Sequence, residues 1–506
     1  MDLLLVNVPS ISLVYPPAAP SLLKGVVEQA GFSATVKDFN LSLFTSINDE
    51  LAINRISNYF TIRSNNVTEE DLEIINTWYD NCIQQILDLN PKFLGISVFT
   101  FECQRATEEL LARLRPIWSG KVIVGGAGLS TTGIASEKND FGTRLKEEGM
   151  VDFFVRGEGE SALVSILKNN VGLIAGLNND NYEQITDLDS IAFPNYDDII
   201  DLPYKYSNDI KQLPITASRG CVRRCTFCDI HAFWKKYTYR SGDSVASEMI
   251  QHYEKYGVRH FFFTDSLING SLKSFRELYT KLNKYYDNHN LGERFFHWGG
   301  QWIVRTPKQL KPEDYKLAAR SGMNGLAMGI ESMSQNVRND MNKGFLNSDL
   351  DYTLEQFRAN NLNCYFLIIV GYPTETEADF HETLEQFTKY QGYAIDGTIF
   401  GVNLGGTLSI DEGTPLHLNG TALGIEFSTQ TGNEQLFGLD WVNEKNPSLT
   451  LLERCKRRVL IQELLMDLGY TVWNGDHQLT RLGESYDKIT RNTYISKDTS
   501  FIQPIQ

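Results

Sequence analysis

The feature that most limits what this chain can fold into is an alternation of short apolar runs with amphipathic segments, present twice. Residues 2–9 (DLLLVNVP) form an apolar run ended by proline, the pattern of a buried strand. Residues 21–31 then place Leu22, Leu23, Val26, Val27 and Ala30 on one helical face and stop at Gly31. SATVKDFN, KFLGISVFT and KVIVGGAG read as further strands, with a helix over about 106–115 between the last two. DFFVRGEGE (152–160) closes the series. This alternation predicts an α/β fold: a doubly wound parallel sheet whose ligands sit at the carboxyl ends of the strands. The turns GGAG and GEGE fall at two such ends, where glycine serves a tight turn equally well.

The second series begins after residues 187–212, which read as a linker: rich in Asp, with prolines nearby and little periodicity. Strands are expected at about 213–218, 259–265, 295–303, 325–331, 363–371 and 395–403, with helices near 243–256, 271–288, 312–321, 348–361 and 377–391. Six β/α units predict a partial (β/α)6 barrel, with chemistry at the carboxyl ends of its strands. Residues 404–506 mix Gly-rich loop with one helix at about 449–468 and are expected to form an α+β cap. The expected organisation is therefore 1–186, a linker at 187–212, a barrel at 213–403 and a capping region at 404–506.

Directly after the first barrel strand comes ASRGCVRRCTFCDIHAFW, with Cys221, Cys225 and Cys228 spaced C-x-x-x-C-x-x-C. No fourth cysteine or nearby histidine stands where it would close a tetrahedral zinc site, which wants four protein ligands. A 4Fe–4S cluster is also normally held by four cysteines, so three imply a cluster with one iron open to a substrate or cofactor. The other four cysteines, Cys82, Cys103, Cys364 and Cys455, are scattered, which fits neither a disulfide framework nor a second cluster. His231, His297, His381 and His417 share no metal-type spacing and read as structural or surface residues.

Composition narrows the partners. At 506 residues and 42% hydrophobic, the chain can build two or three real cores, and no apolar run approaches the ~20 residues of a membrane helix. The start carries Asp2 and no basic segment, so no secretory signal is expected; with its reduced cysteines the chain reads as cytoplasmic. A net charge of −16 argues against nucleic acid, whose phosphates call for a basic face. One basic island surrounds the cysteines: Arg219, Arg223, Arg224, Lys235, Lys236 and Arg240 against Asp229. It reads either as a rim favouring an anionic cluster and ligand or as a solvated loop.

The cysteine spacing, with Phe227 before the third cysteine, resembles the radical S-adenosylmethionine (SAM) superfamily, in which SAM chelates the open iron of a 4Fe–4S cluster. HFFFTDSLING resembles the family's second-strand segment and GLAMGIESMSQNVRNDMNKG its fourth, while FLIIVGYPTET is similar to its fifth. By that resemblance Phe227, Asp265, Ser266 and Glu331 would face SAM, and Ile369 and Gly371 would pack along its adenine. HFFFTDSLING lacks the family's usual Gly-Gly-Glu pattern. Residues 1–165 resemble the cobalamin-binding-type domain that precedes many radical SAM modules. The first histidine is His231, so the domain lacks the Asp-x-His-x-x-Gly motif that ligates cobalt in some relatives, and cobalamin stays open.

The resemblance implies an enzyme in which one electron, from a donor such as flavodoxin or ferredoxin, cleaves SAM to methionine and a 5′-deoxyadenosyl radical. That radical takes a hydrogen from an unactivated carbon of a small molecule, such as a natural product or tetrapyrrole. Cobalamin would add methylation; without it the outcome would be rearrangement, cyclisation or oxidation. A tRNA methylthiotransferase fits less well, because the N-terminal half lacks the three cysteines of that family's second cluster. A binding protein with a structural metal knuckle would need the SAM-like segments to be coincidence. No catalytic residue is assigned. In the tail, Asp440 and Trp441 are candidates to line a pocket, although an aromatic there is more often core.

Overall fold

The computed structural model describes residues 1–9, 13–129, 141–170, 172, 174–179, 184–206, 209–427 and 441–474. They form two compact units, one drawn from residues 1–214 with 252–258 and the other from the remainder after 214.

The first unit is built on five parallel strands: β1 (Leu3–Asn7), β2 (Ala34–Asp38), β3 (Phe93–Ser97), β4 (Lys121–Gly125) and β5 (Phe153–Val155). Their order is β2-β1-β3-β4-β5, so the chain reverses its direction of travel between β1 and β3. In sheets of this order ligands bind at the carboxyl ends beside that reversal. Central β1 is buried on both faces from Leu3 to Val6, which explains its unbroken apolar run.

Between β2 and β3 lie three helices that the strand–helix reading left unassigned: Phe39–Phe44, Glu50–Thr61 and Glu69–Leu89. The last opens with a capping box in which Thr68 and Asp71 satisfy each other's backbone N–H groups. Asp71, buried, also takes a two-pronged bond from Arg55 at 2.6 and 2.9 Å. Ile56, Phe60, Trp78, Tyr79 and Cys82 from these helices pack with Leu4, Val6, Leu94 and Ile96 of the sheet.

Residues 187–212 are not a loose connector, because most of them fold onto this unit. Gly25 lies so close to the Phe193 carbonyl that a Cβ would stand 2.2 Å from its oxygen. Asn195 donates to Ser21 O at 2.9 Å, and Asp198 accepts from Val36 N at 2.9 Å while pairing with buried Lys24. Tyr204 donates to Asp38 Oδ2 at 2.9 Å at the carboxyl end of β2. The aspartates that suggested a solvated linker are partly spent on such bonds.

The barrel series starts with β6 (Gln212–Ile215), then a two-stranded clasp of β7 (Ser218–Arg219) and β8 (Thr238–Tyr239), then β9 (His260–Phe263). It continues through β10 (His297–Gly299), β11 (Gln301–Trp302), β12 (Leu326–Glu331), β13 (Cys364–Val370) and β14 (Ile399–Thr407). One sheet runs β10-β9-β6 and another runs from β11 to β14 in sequence order. Only Gly300 separates β10 from β11, and a Cβ there would press on Phe263 Cβ at 2.8 Å. A single strand thus bends from one sheet into the next, giving the six parallel positions of a partial barrel.

The helices Leu272–His289, Pro312–Arg320, Asn347–Ala359 and Glu377–Lys389 fall within two residues of the ranges read from sequence. Phe261, Phe263, Trp298 and Trp302 are buried, and Phe275 of the first of these helices lies edge-on to both tryptophans. The tail contributes an antiparallel pair, β15 (Ile425–Phe427) with β16 (Trp441–Asn443), and the helix Leu451–Asp467. It also adds β17 (Val472–Asn474), a parallel neighbour of β14 that sequence periodicity did not suggest. Trp473 of β17 lies edge-on to Tyr365 and Phe400 and fills the space that a side chain at Gly401 would need.

Candidate active site

The three cysteines lie in the excursion enclosed by the β7–β8 clasp, at the carboxyl end of β6. All are free thiols; Cys225 is buried, and Cys221 and Cys228 are half-buried. The loop enters through Gly220, at φ +80°, where a Cβ would stand 2.7 Å from Lys236 O and leave no room for a side chain. Within the loop, Cys228 N donates to Cys225 O at 3.3 Å, and His231 Nε2 meets Arg223 O at 2.6 Å. His231 therefore has a structural part, as its isolation in sequence predicted. His381 sits on an exposed helix turn beside Glu377, and His297 stacks on His260.

Residues 341–344 fasten the loop from one side. Thr226 N donates to Met341 O at 3.1 Å, Asn342 Nδ2 to Arg224 O at 2.9 Å, and Arg223 Nη1 to Gly344 O at 3.0 Å. From the other side, Leu416 N donates to Thr226 O at 2.7 Å, and the Thr226 and Tyr372 hydroxyls lie 2.8 Å apart. Phe227 and Ile369 pack against a buried cluster of Val337, Met341, Tyr372, Leu408, Leu416 and Trp441. Trp441 is thus core. Asp440 lies outside the described residues.

Glu331 ends β12 with φ of +67°, an uncommon backbone for a residue with a side chain. Its carboxylate accepts from Lys343 Nζ at 2.9 Å, and both side chains are about nine-tenths buried. Gly329 makes room for the pair, since a Cβ there would lie 2.6 Å from Glu331 Oε1 and 3.1 Å from Lys343 Nζ. Burial works to lower the Lys343 ammonium, but Glu331 and Cys225 outweigh it and hold it above its ordinary value. The same ammonium is 5.9 Å from the centre of the Phe227 ring. The sequence reading missed Lys343, although it stands inside a segment singled out there.

Asp265 is committed elsewhere. Expected to face a ligand, it is instead buried and accepts from Ala217 N at 3.0 Å and from Ser218 Oγ, latching the end of β9 to the start of the cysteine loop. Burial raises its carboxyl to about 6 against those two donors. Neighbouring Ser266 is half-buried. Gly371, at φ +79°, closes β13 and lies against Arg454 of the tail helix, where a Cβ would meet Arg454 Cγ at 2.5 Å. Arg454 lies over Trp441 with its guanidinium 3.6 Å from the ring centre. Next to it, Arg457 forms a buried pair with Glu375 at 2.9 Å, and Arg458 donates to the carbonyls of Leu404 and Gly405. The tail is in this way fastened to the carboxyl ends of β13 and β14.

The basic island divides in two. Arg240 is buried and paired with Glu248, so it belongs to the fold, whereas Arg224 is exposed. Burial pushes the Cys228 thiol up to about 11 and raises Cys225 as well. Binding a metal as thiolates would therefore release protons. Among the described residues, no three His, Cys, Asp or Glu side chains converge on a point that would hold one metal ion. A mononuclear zinc site does not fit this donor set. Three thiols on one braced loop with a buried cation beside them do fit an anionic iron–sulfur cluster, which takes each thiolate on a different iron.

Residues 215–387 match the family described as the Radical SAM superfamily, and the chain carries a radical SAM domain. Among curated relatives, a bacteriochlorophyllide d C-12(1)-methyltransferase of Chlorobaculum tepidum is 28% identical over 198 residues, 38% of this chain and 40% of that one. An anaerobic magnesium-protoporphyrin IX monomethyl ester cyclase of Cereibacter sphaeroides is 23% identical over 62% of this chain and 52% of its own. The chain thus spans about half the length of these relatives or less. Among solved structures, the radical SAM methyltransferase TsrM from Kitasatospora setae matches with a TM-score of 0.55 at 18% identity, over 88% of this chain and 80% of that one. The cobalamin-dependent SAM radical enzyme OxsB reaches a TM-score of 0.60 at 15% identity, over 90% of this chain and 66% of its own.

Proposed function

We propose that this radical SAM enzyme binds a 4Fe–4S cluster through Cys221, Cys225 and Cys228, binds SAM beside it, and uses cobalamin to methylate an unactivated carbon of a small molecule. The observation that carries this reading is the three-cysteine loop at the carboxyl end of the first barrel strand, within the residues that match the family. When bound, the cluster supplies the electron that cleaves SAM, and cobalamin supplies a methyl carrier.

The remaining roles fall to the chain's own side chains. Thr226 and Tyr372 hold the cysteine loop in register, Phe227 and Ile369 shield it from water, and Glu331 and Lys343 offer opposite charges to a zwitterionic ligand. At the end of β13 Gly371 is covered by Arg454, so the ligand contact there falls to the backbone near Ile369, and Ser266 follows β9. Asp265 holds the loop in place rather than touching SAM. The electron donor is a small redox protein such as flavodoxin or ferredoxin. Two relatives are named for bacteriochlorophyllide and magnesium-protoporphyrin, which supports a tetrapyrrole or another flat natural product as substrate.

For cobalamin, the supporting features are the strand order with its reversal beside β3 and Phe99, a large apolar side chain 63% exposed just beyond the carboxyl end of β3. No histidine precedes His231, so any bound cobalamin lacks a histidine ligand from residues 1–230. That same absence favours a second reading, a radical SAM enzyme that keeps the domain without the corrinoid.

Anaerobically purified protein separates the two readings. Broad iron–sulfur absorption with added corrinoid bands is expected, with a cobalt(II) resonance free of nitrogen splitting from a protein ligand. Turnover by methyl transfer to carbon consumes SAM twice, so S-adenosylhomocysteine and 5′-deoxyadenosine should appear in about equal amounts. 5′-Deoxyadenosine alone, with no corrinoid, selects the second reading. A colourless zinc protein contradicts both.

A further inference from the structure

A buried cation lies against the cysteine loop: the Lys343 ammonium is 5.9 Å from the centre of the Phe227 ring. Burial is the main influence on Cys225, and the largest charge acting on it is Lys343, ahead of the opposing Glu331. Arg223 acts on Cys225 in the same direction as Lys343. Cys221 lies within electrostatic reach of Lys343 and of Arg305, whose guanidinium burial and Arg223 lower to about 10. Arg305 is itself buried and fixed by bonds from Nη2 to Asn269 O at 2.6 Å and Gly270 O at 2.8 Å. Lys343, Arg223 and Arg305 thus give the loop a cationic side at Cys221 and Cys225.

Lys343 is built into that cationic side. Residues 341–344 run along 223–226 through three hydrogen bonds, from Thr226 N, Asn342 Nδ2 and Arg223 Nη1. Glycine at 344 favours this, since its φ is +65° and a Cβ would stand 2.4 Å from Arg223 Nη1 and displace it. The geometry turns the Lys343 side chain inward, to 2.9 Å from Glu331 and 5.9 Å from the ring centre of Phe227, which stands between Cys225 and Cys228 in the chain, where water screens charge poorly.

We infer that Lys343, held by Glu331, is a tuning residue: its ammonium stabilises the extra negative charge that the cluster gains on accepting one electron. Glu331 acts in the opposite sense, partly neutralising Lys343 and so limiting how far the potential rises. Net charge and nearby hydrogen bonding are among the factors that set such potentials. The inference rests on the cluster reading above. It adds that the charge balance of this one pair, as well as the cysteines, decides how readily the cluster is reduced.

The test is a reductive titration of the anaerobically reconstituted full chain, following the reduced cluster by electron paramagnetic resonance, with iron and sulfide content and unfolding midpoint measured in parallel. At the potential where the wild-type cluster is half reduced, Lys343→Met should lower the reduced-to-oxidised ratio up to tenfold, ~59 mV for a one-electron couple. Glu331→Gln should raise the ratio, and Lys343→Arg should leave it close to wild type. A purely structural ion pair predicts that both neutral variants shift the same way or not at all at full cluster content, and either result overturns the inference. If Lys343→Met loses the cluster, Glu331→Gln decides: a raised ratio supports the inference, and a lowered or unchanged one overturns it. A wild-type chain that holds no iron–sulfur cluster overturns the cofactor reading itself, before Lys343 is in question.

Discussion

Two loops at the carboxyl ends of strands, one in each unit, make an instructive pair. The loop after β4 carries Gly126 and Gly128, part of the GGAG turn that looked like a ligand signature. A Cβ on Gly126 would stand 2.3 Å from Val98 O, and one on Gly128 would stand 2.2 Å from Thr100 O. Those glycines are accounted for by the chain's own backbone. The cysteine loop after β6 also needs close backbone approach, at Gly220 and Gly344, but there the approach gathers chemically distinctive groups. A glycine pattern reports how near two backbones come; only the thiols report what the nearness is for.

The comparison breaks most decisively at the cysteines. Replacing any of Cys221, Cys225 or Cys228 by Ala should remove most bound iron and all SAM cleavage, whereas Cys82→Ala, Cys103→Ala, Cys364→Ala and Cys455→Ala, each buried in a core, should keep the cluster. Iron analysis of the seven variants checks this, and full iron in Cys225→Ala refutes the ligand assignment. Next in size, Arg457→Met leaves Glu375 buried without its partner and should cost about 3–5 kcal/mol in denaturant unfolding. Gly126→Ala, placing a side chain at φ +120°, should destabilise the first unit by about 1–3 kcal/mol while iron content stays at the wild-type level. Iron loss in that variant would mean the two loops are not as separate in role as described.

Smaller effects come from the latch and the brace. The Asp265 carboxyl is raised to about 6 in the folded chain, above its unfolded value near 4, so the folded state holds the proton more tightly. Its contribution to stability is largest below pH 4 and falls as pH rises from about 4 to 6. Asp265→Asn should flatten that part of the unfolding profile, and an unchanged slope would show that the carboxyl does not titrate there. Thr226→Val removes the hydroxyl contact with Tyr372 and should cost about 0.5–1.5 kcal/mol, with a broader cluster resonance as the loop loses its brace.

Much of the barrel could be read in the chain because period and side-chain type coincide there: Cys364–Val370 alternates buried and half-buried residues, and the cysteines have few other uses. The resemblance extended this to Glu331, whose carboxylate pairs with Lys343. Lys343 could not be read in this way. It lies 12 residues on, in a stretch that looks like an ordinary charged turn, and only the fold reveals that it points inward. Asp265 matched a ligand-facing pattern, but local donors at Ala217 and Ser218 already occupy it. The helices at Glu50–Thr61 and Glu69–Leu89 escaped the alternating scheme because they are inserted between consecutive strands of it. The packing of residues 187–212 and β17 depends on partners far away in sequence, which periodicity does not encode.

The most direct test of the central claim is the release of 5′-deoxyadenosine from SAM by the reconstituted full chain under strong reductant, without any added substrate. The account predicts a measurable amount from the wild type, a smaller amount from Glu331→Ala and none from Cys228→Ala. No 5′-deoxyadenosine from a chain with an intact, reduced cluster and bound SAM would contradict it.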